Sequence, residues 1–353
     1  MENVLKEDLD HILSKGMELS IWEVLRNKNV FITGATGFFG CWLLESIVWA
    51  NEQLKLNIKV LALTRNYEKF KNKAPHLATH PSIRFHIGDI CDFSFPQDNY
   101  NYIIHAATES STKINEENPV LLLNTIIDGT KHTLDFARKC GASKFLLTSS
   151  GAVYGKQPEG ITHIKEDYLG APILTNPKSV YGEGKRISEL LCSIYNKQYG
   201  IDCKIARCFA FVGPYLPIDS HYAIGNFIND GLNGGPIVVN SDGTSYRSYL
   251  YAADLLVWLW TILFKGETCR PYNVGSEKEI TIAELAKIIG DGFTPSLKLI
   301  IRQKPIKGKF PEKYIPSTQR ARNELNLNQT YSLKESIIRT INYIEKINSR
   351  DIN

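Results

Sequence analysis

The stretch "NVFITGATGFFG", Asn29 to Gly40, joins a short apolar run to a glycine-spaced turn and then to a helical pattern. Residues 29–33 read as a buried strand, and apolar spacing near 39–52 reads as the helix that follows. Gly34, Gly37 and Gly40 fall on the junction, each with a physical task. Gly34 permits the tight turn, Gly37 lets backbone approach a pyrophosphate, and Gly40 lets helix and strand touch. The helix N-terminus beyond them offers unpaired N–H donors and a favourable dipole to phosphate. The spacing is G-x-x-G-x-x-G rather than G-x-G-x-x-G, so the glycines alone also fit a structural turn.

The same rhythm continues outward. Strands are expected at 58–64, 83–87, 101–105, 144–148 and 203–208, with helical stretches near 119–139 and 178–199. Such alternation predicts parallel strands joined by right-handed helical crossovers, an α/β doubly wound sheet whose ligands sit at the strands' carboxyl ends. Residues 5–27 have helical spacing ahead of the first strand and read as an added N-terminal segment, 1–27. The dinucleotide-binding domain is expected to span 28–208, with 250–275 contributing. After about residue 209 come Gly- and Pro-rich turns and short strands such as "PIVV" and "RSYLY". These predict a smaller C-terminal substrate-binding lobe from 209–249 and 276–353.

Composition narrows the class. The 41 Lys and Arg nearly balance the 37 Asp and Glu, which does not advertise nucleic-acid binding. Seven cysteines stand singly, without C-x-x-C, as in a reducing compartment. The acidic "MENVLKEDLDH" lacks a signal peptide's apolar core. The longest apolar run, 255–264, is too short for a bilayer, and with Asp254 as N-cap it reads as a buried helix. No membrane association and a cytoplasmic location are expected. His76 and His80 in "HLATH" have metal-like spacing but are bracketed by Pro75 and Pro81, and a surface loop is expected rather than a metal site.

At the end of the second strand, where a carboxylate would grip the ribose hydroxyls of NAD, stand Thr64 and Arg65. A guanidinium pairs with a 2′-phosphate, which favours NADP over NAD, although stacking on adenine or facing solvent also fits Arg65. Asp89 in "IGDI", with Ile90, suits the adenine amino group or a plain turn.

In "SSGAVYG", 149–155, a hydroxyl, Ser150, ends a strand and two chemically blank residues follow. Further on, "SVYGEGK" sets Tyr181 and Lys185 four apart, on one helix face. A phenol with an ordinary pKa near 10 is a poor base at neutral pH, and a neighbouring ammonium stabilises its phenolate.

Glycine loop, strand-end hydroxyl and Tyr-x-x-x-Lys together resemble the extended short-chain dehydrogenase/reductase proteins that act on nucleotide-sugars, the epimerase/dehydratase family. The resemblance runs over about 28–345 and includes "IIHAATES" at 103–110, Asn124 with Gly129-Thr130, "VGP" at 212–214, "RSYLYAADL" at 247–255 and "YNVGS" at 272–276. It implies a Rossmann-type fold and a homodimer formed through the helices near 119–139 and 178–199. The cofactor would lie along Gly34, Thr36, Gly37, Phe38, Phe39 and Gly40, with Ala106, Ala107 and Thr108 on the nicotinamide side and Asn124 nearby. Tyr181 would be the acid/base, Lys185 would hold the nicotinamide ribose and tune Tyr181, and Ser150 would bond the sugar's reacting oxygen. Arg247 would meet the nucleotide diphosphate, and Glu109, Gly151, Ala152, Asn226 and Phe227 would line the substrate.

Where 4,6-dehydratases of that family carry an Asp-Glu pair or similar carboxylate, and decarboxylases keep a Glu nearby, this chain has Gly151 and Ala152. The blanks argue for plain redox at sugar C4, by a 4-epimerase or a 4-keto-sugar reductase. Glu109 or Glu183 as a substitute acid keeps dehydration open, and the "RSY" order keeps decarboxylation open. A non-enzymatic NADP sensor is a further reading, which the complete set Ser150, Tyr181 and Lys185 disfavours.

Overall fold

The computed structural model describes residues 5–108, 112–218, 222–308 and 310–349. Its strands are β1 (Asn29–Thr33), β2 (Lys59–Thr64), β3 (Ile83–Ile87), β4 (Tyr102–His105), β5 (Lys144–Ser150), β6 (Asp202–Cys208), β7 (Phe211–Val212), β8 (Ile237–Val239), β9 (Tyr246–Arg247), β10 (Leu250–Tyr251), β11 (Pro271–Val274), β12 (Ile280–Thr281), β13 (Leu299–Ile301) and β14 (Lys313–Tyr314). The helices are α1 (Lys6–Glu18), α2 (Ile21–Leu25), α3 (Phe38–Leu54), α4 (Tyr67–Lys73), α5 (Pro75–Ala78), α6 (Thr112–Glu117), α7 (Pro119–Lys139), α8 (Val180–Tyr199), α9 (Ala223–Leu232), α10 (Ala252–Lys265), α11 (Ile282–Gly290), α12 (Gln319–Leu325) and α13 (Leu333–Asn348).

Seven parallel strands form one sheet in the order β11-β6-β5-β4-β1-β2-β3. Its central strands are continuous apolar runs because helices cover both faces. The order reverses between β1 and β4, which opens a crevice beyond their carboxyl ends where the glycine loop begins. On one face, α3 and α10 bury Trp42, Trp258 and Trp260, and the Trp42 indole donates to the Pro214 carbonyl at 2.8 Å. On the other, α7 and α8 pack closely enough that a side chain at Gly184 would meet Ile126 at 3.1 Å.

The N-terminal segment is part of this core. Leu9, Ile12 and Trp22 belong to the main apolar cluster, and the buried Asp8 carboxylate accepts from Tyr251 at 2.6 Å and from Arg339 at 3.1 Å. Burial raises the Asp8 pKa while the Tyr251 and Arg339 donors act to lower it, so these two donors offset part of the cost of burying it. The expectation for Asp254 needs correction. Tyr251 occupies the N-cap of α10, while Asp254 lies buried in its first turn and accepts the Thr330 and Tyr331 amides at 2.8 and 3.1 Å. Those amides belong to the chain entering α13, so the carboxylate fastens two distant segments rather than capping its own helix. Among the described residues no helix is long and apolar enough to cross a membrane.

Past β6 the chain builds small sheets: β7 with β10, β8 with β13, and β12-β9-β14. Because β14 pairs with β9, Tyr314 comes level with Arg247. That register matters for the site.

Candidate active site

The glycine loop shows why glycine is needed. Gly34 has φ +68°, and a Cβ there would lie 2.5 Å from the carbonyl carbon and oxygen of Ala106 and 2.6 Å from the Ala107 nitrogen. The loop therefore rests against the end of β4. Gly37 is different: it is exposed, its φ is −81°, and the nearest atom to an added Cβ is the Gly34 carbonyl oxygen at 3.3 Å. It occupies the N-cap of the seventeen-residue α3 with no side chain capping the helix. The first-turn amides thus remain available to an external acceptor. Lys73 of α4 adds positive charge there, donating to the Thr36 carbonyl at 3.1 Å. An exposed, uncapped, positively flanked helix start fits a dinucleotide pyrophosphate.

Around the expected adenosine pocket the picture is mixed. Arg65 is exposed just beyond β2. The Thr64 hydroxyl is buried and accepts the Asn66 amide at 3.2 Å, and Asp89 makes the turn, accepting the Cys91 amide at 3.0 Å. Ile90 packs beneath Gly129. Asn124 is exposed on α7.

His105 links the layers, within 3.0 Å of the Thr33 hydroxyl and 3.2 Å of the Thr130 hydroxyl, which in turn lies 2.9 Å from Ser188 of α8. Burial, helped by the nearby Lys185 charge, lowers its pKa to about 3, so the ring is neutral and structural.

Ser150 ends β5 beside Cys208 of β6 and accepts the Ala152 amide at 3.1 Å. The nearby Ser150 hydroxyl favours the phenolate forms of Tyr181 and Tyr314. Tyr181 is raised well above an ordinary phenol, first by burial and then by Tyr314, while Ser150 acts downward. Lys185 follows one turn along α8, 2% exposed, with its Nζ donating to Thr108 at 2.6 Å and to the Thr148 carbonyl at 2.8 Å. Desolvation lowers its pKa to about 8. The expected tuning of Tyr181 by Lys185 is not among the leading influences on the phenol, because the ammonium is engaged with Thr108 and β5.

Behind Ser150, Ser149 donates to Glu189 at 2.5 Å, and Arg207 grips the same carboxylate at 2.7 Å. Arg207 continues to the Tyr154 hydroxyl at 2.9 Å and Tyr154 to Asn273 at 2.7 Å. This buried chain locks α8, and with it Tyr181 and Lys185, to the register of β5 and β6.

The two blanks have a packing cause. A side chain at Gly151 would meet the Phe209 ring at 2.6 Å and the Tyr314 hydroxyl at 2.7 Å. Gly151 is buried and Ala152 half-buried, so neither offers a functional group. Arg247 lies on the same side: it lowers the Tyr314 phenol and reaches within 4.0 Å of Glu312. The residues expected on the substrate wall differ in exposure. Phe227 is 4% exposed within the main core, because the apolar face of α9 carries it inward, whereas Asn226 is exposed. Glu109 lies outside the described residues. Glu183 holds Arg186 at 3.4 Å along α8. His76 meets the buried Glu45 of α3 at 2.7 Å, an acidic partner invisible in local sequence; among the described residues no group of three or more His, Cys, Asp or Glu could hold a metal.

Known proteins resemble this chain in sequence and in fold. The sequence model of the NAD dependent epimerase/dehydratase family matches residues 30–275. UDP-glucuronic acid decarboxylase 1 of Arabidopsis thaliana is 29% identical over 316 residues, covering 90% of this chain and 69% of that protein. The UDP-glucose 4-epimerase of Thermotoga maritima, solved with UDP-glucose, superposes with a TM-score of 0.75 at 22% identity, covering 90% of this chain and 99% of that one. A dTDP-glucose 4,6-dehydratase of Streptomyces venezuelae, solved with NAD, gives 0.75 at 23% identity over 91% and 98%. At such identities the structures share the fold.

Proposed function

Because the chain belongs to the NAD dependent epimerase/dehydratase family, we propose that this enzyme carries out hydride transfer at C4 of a nucleotide-sugar, as a 4-epimerase or 4-keto-sugar reductase. The observation that carries the reading is the packing at Gly151, where Phe209 and Tyr314 fill the space a carboxylate would need. Redox at C4 requires only a hydride partner, one group for the hydroxyl proton and one donor to orient the oxygen. A nicotinamide bound beyond Gly34 and Gly37 supplies the hydride chemistry.

The residues of the chain do the rest. Tyr181 takes or returns the C4 hydroxyl proton. Ser150 donates to the same oxygen and acts to lower the Tyr181 pKa, favouring the phenolate. Lys185 stays fixed by Thr108 and Thr148, its Nζ poised to exchange a proton near pH 8. Arg247, facing Tyr314, receives the diphosphate.

For the dinucleotide we propose NADP, on the exposed guanidinium of Arg65 and the lysines of α4. We also propose a cytoplasmic homodimer paired through α7 and α8, supported by seven free thiols and by Val120, Leu121 and Leu190 exposed on those helices.

Decarboxylation is the second reading, favoured by the Arabidopsis relative. Chemically it is near: oxidation at C4 of a nucleotide-linked uronic acid makes its carboxylate β to a ketone. Purified protein incubated with nucleotide-sugars, 4-keto sugars and UDP-glucuronate, with and without NADPH, separates the cases. Isomer exchange marks an epimerase and net NADPH consumption a reductase; carbon dioxide release, or a 4-keto-6-deoxy product, refutes the proposal.

A further inference from the structure

We propose that Lys73 is a positioning residue for the dinucleotide: seated over the Tyr215 ring, its ammonium holds the Thr36 carbonyl and so fixes the Thr36–Gly37 peptide that the pyrophosphate meets. The inference rests on the reading of the glycine loop given above and extends it to three residues outside that loop, Lys73, Tyr215 and Glu45.

The Thr36–Gly37 peptide is held from both sides. Its N–H, on Gly37, donates to the Gly34 carbonyl at 3.0 Å and closes the turn. Its carbonyl, on Thr36, receives the Lys73 ammonium at 3.1 Å and the Cys41 thiol at 3.7 Å. A planar peptide bonded at both ends cannot rotate without breaking a hydrogen bond. Gly37 thereby keeps the N-cap geometry that leaves the first-turn amides of α3 open to an acceptor. The Lys73 bond is the charge-assisted one, and the thiol is a weak donor. Among the described residues no carboxylate pairs with Lys73, so its charge also stays available to attract phosphate.

A lysine on an exposed helix face is ordinarily free to swing, and here Tyr215 restrains it. Lys73 Nζ lies 5.6 Å from the Tyr215 ring centroid, inside the range of a cation–π contact. The ring is itself held in a strained place. Tyr215 has φ +69°, in the left-handed region that bulky side chains rarely enter, and such a conformation persists only where its surroundings over-determine it. Three contacts do so. Trp42 donates to the preceding Pro214 carbonyl at 2.8 Å, Tyr343 packs on the ring with centroids 5.4 Å apart, and the Tyr215 hydroxyl donates to Glu45 at 2.5 Å. Burial, with Glu45 beside it, raises the Tyr215 phenol far above its ordinary value, so it keeps the proton it donates. Glu45 is 2% exposed and lies 2.7 Å from His76, which ties the far end of this socket to α3 and α5.

The test titrates NADPH and NADH, by nicotinamide fluorescence, into Lys73→Met, Lys73→Arg, Tyr215→Leu and the double variant of Lys73→Met with Tyr215→Leu. Lys73→Met should weaken both dinucleotides alike, by roughly tenfold, while Tm stays near the parent's because the side chain is exposed. Lys73→Arg, which can donate to the same carbonyl over the same ring, should recover most of the loss. Tyr215→Leu should weaken binding in the parent and add almost nothing in the Lys73→Met background. Undiminished affinity in Lys73→Met would overturn the proposal. So would a loss confined to NADPH, which would make Lys73 a ligand of the 2′-phosphate instead. A second readout needs no ligand: brief acetylation with acetic anhydride, mapped by mass spectrometry, should modify Lys73 of the resting parent more slowly than Lys71, exposed on the same helix. Equal rates would also overturn it. Neither the Lys73→Met titration nor the parent's labelling depends on Tyr215→Leu folding. A parent protein that binds neither dinucleotide would defeat the functional reading, while the labelling still decides whether Lys73 is held.

Discussion

Alanine at Gly34 and at Gly37 should fail in opposite ways. At Gly34 the left-handed backbone costs a Cβ-bearing residue about 1–2 kcal/mol. The added carbon would also sit 2.5 Å from the Ala106 carbonyl group, well inside contact distance, and overpacking of this kind costs about 1–3 kcal/mol. The sum, about 2–5 kcal/mol, should lower Tm by roughly 3–7 °C in a chain of 353 residues. At Gly37 the φ of −81° suits alanine and the nearest atom is 3.3 Å away, so stability should change by less than about 1 kcal/mol. The new methyl would instead stand where backbone must approach the pyrophosphate, and dinucleotide affinity should fall at least about tenfold, or 1.4 kcal/mol. Thermal denaturation monitored by fluorescence, paired with NADPH titration of each variant, reads both quantities. A Gly37→Ala protein that binds the dinucleotide like the parent, or a Gly34→Ala protein that melts like it, would refute the assignment of the two glycines.

Tyr181→Phe should cut turnover by about 10²–10⁴ while dinucleotide binding is kept, measured by steady-state kinetics beside the same titration. His105 binds no proton in the folded chain down to about pH 3, whereas the unfolded chain protonates it near 6.5, so stability is lost as pH falls through that window. A His105→Asn variant should show a slope of unfolding free energy against pH, between 4 and 6, shallower by about 1.4 kcal/mol per pH unit in urea titrations. Lys185 has the same sign at higher pH: its folded pKa of about 8 lies below the ordinary 10.5, so its contribution makes the resting protein more stable as pH rises between those values. Lys185→Met should remove that rise. Replacing Glu189 with alanine leaves the mostly buried Arg207 without its carboxylate and should cost about 3–5 kcal/mol, read by urea unfolding.

Much of this architecture is legible in the sequence because its signals are local. An apolar strand, a glycine turn and an amphipathic helix are each written in a dozen adjacent residues, and β1, α3 and α8 lie where their periodicity puts them. What escapes is long-range. Tyr314 comes level with Arg247 and lies against Gly151 only because β14 pairs with β9, and nothing near residue 314 announces those neighbours. Asp254 looks like a helix cap by position, but its carboxylate serves the amides entering α13. Phe227 and Asn226 are neighbours in sequence and opposite in exposure, a difference set by which face of α9 meets the core. The partnership of Lys185 with Thr108 likewise depends on the ends of β4 and β5 meeting over α8.

The central claim is that proton and hydride chemistry is confined to C4, and isotopes test it most directly. Nucleotide-sugar turned over in D₂O, and recovered for mass and NMR analysis, should carry no deuterium on ring carbon and keep its C5 hydrogen and C6 group intact. Deuterium at C5, or loss of the C6 substituent, would show a second acid/base at work and contradict the account.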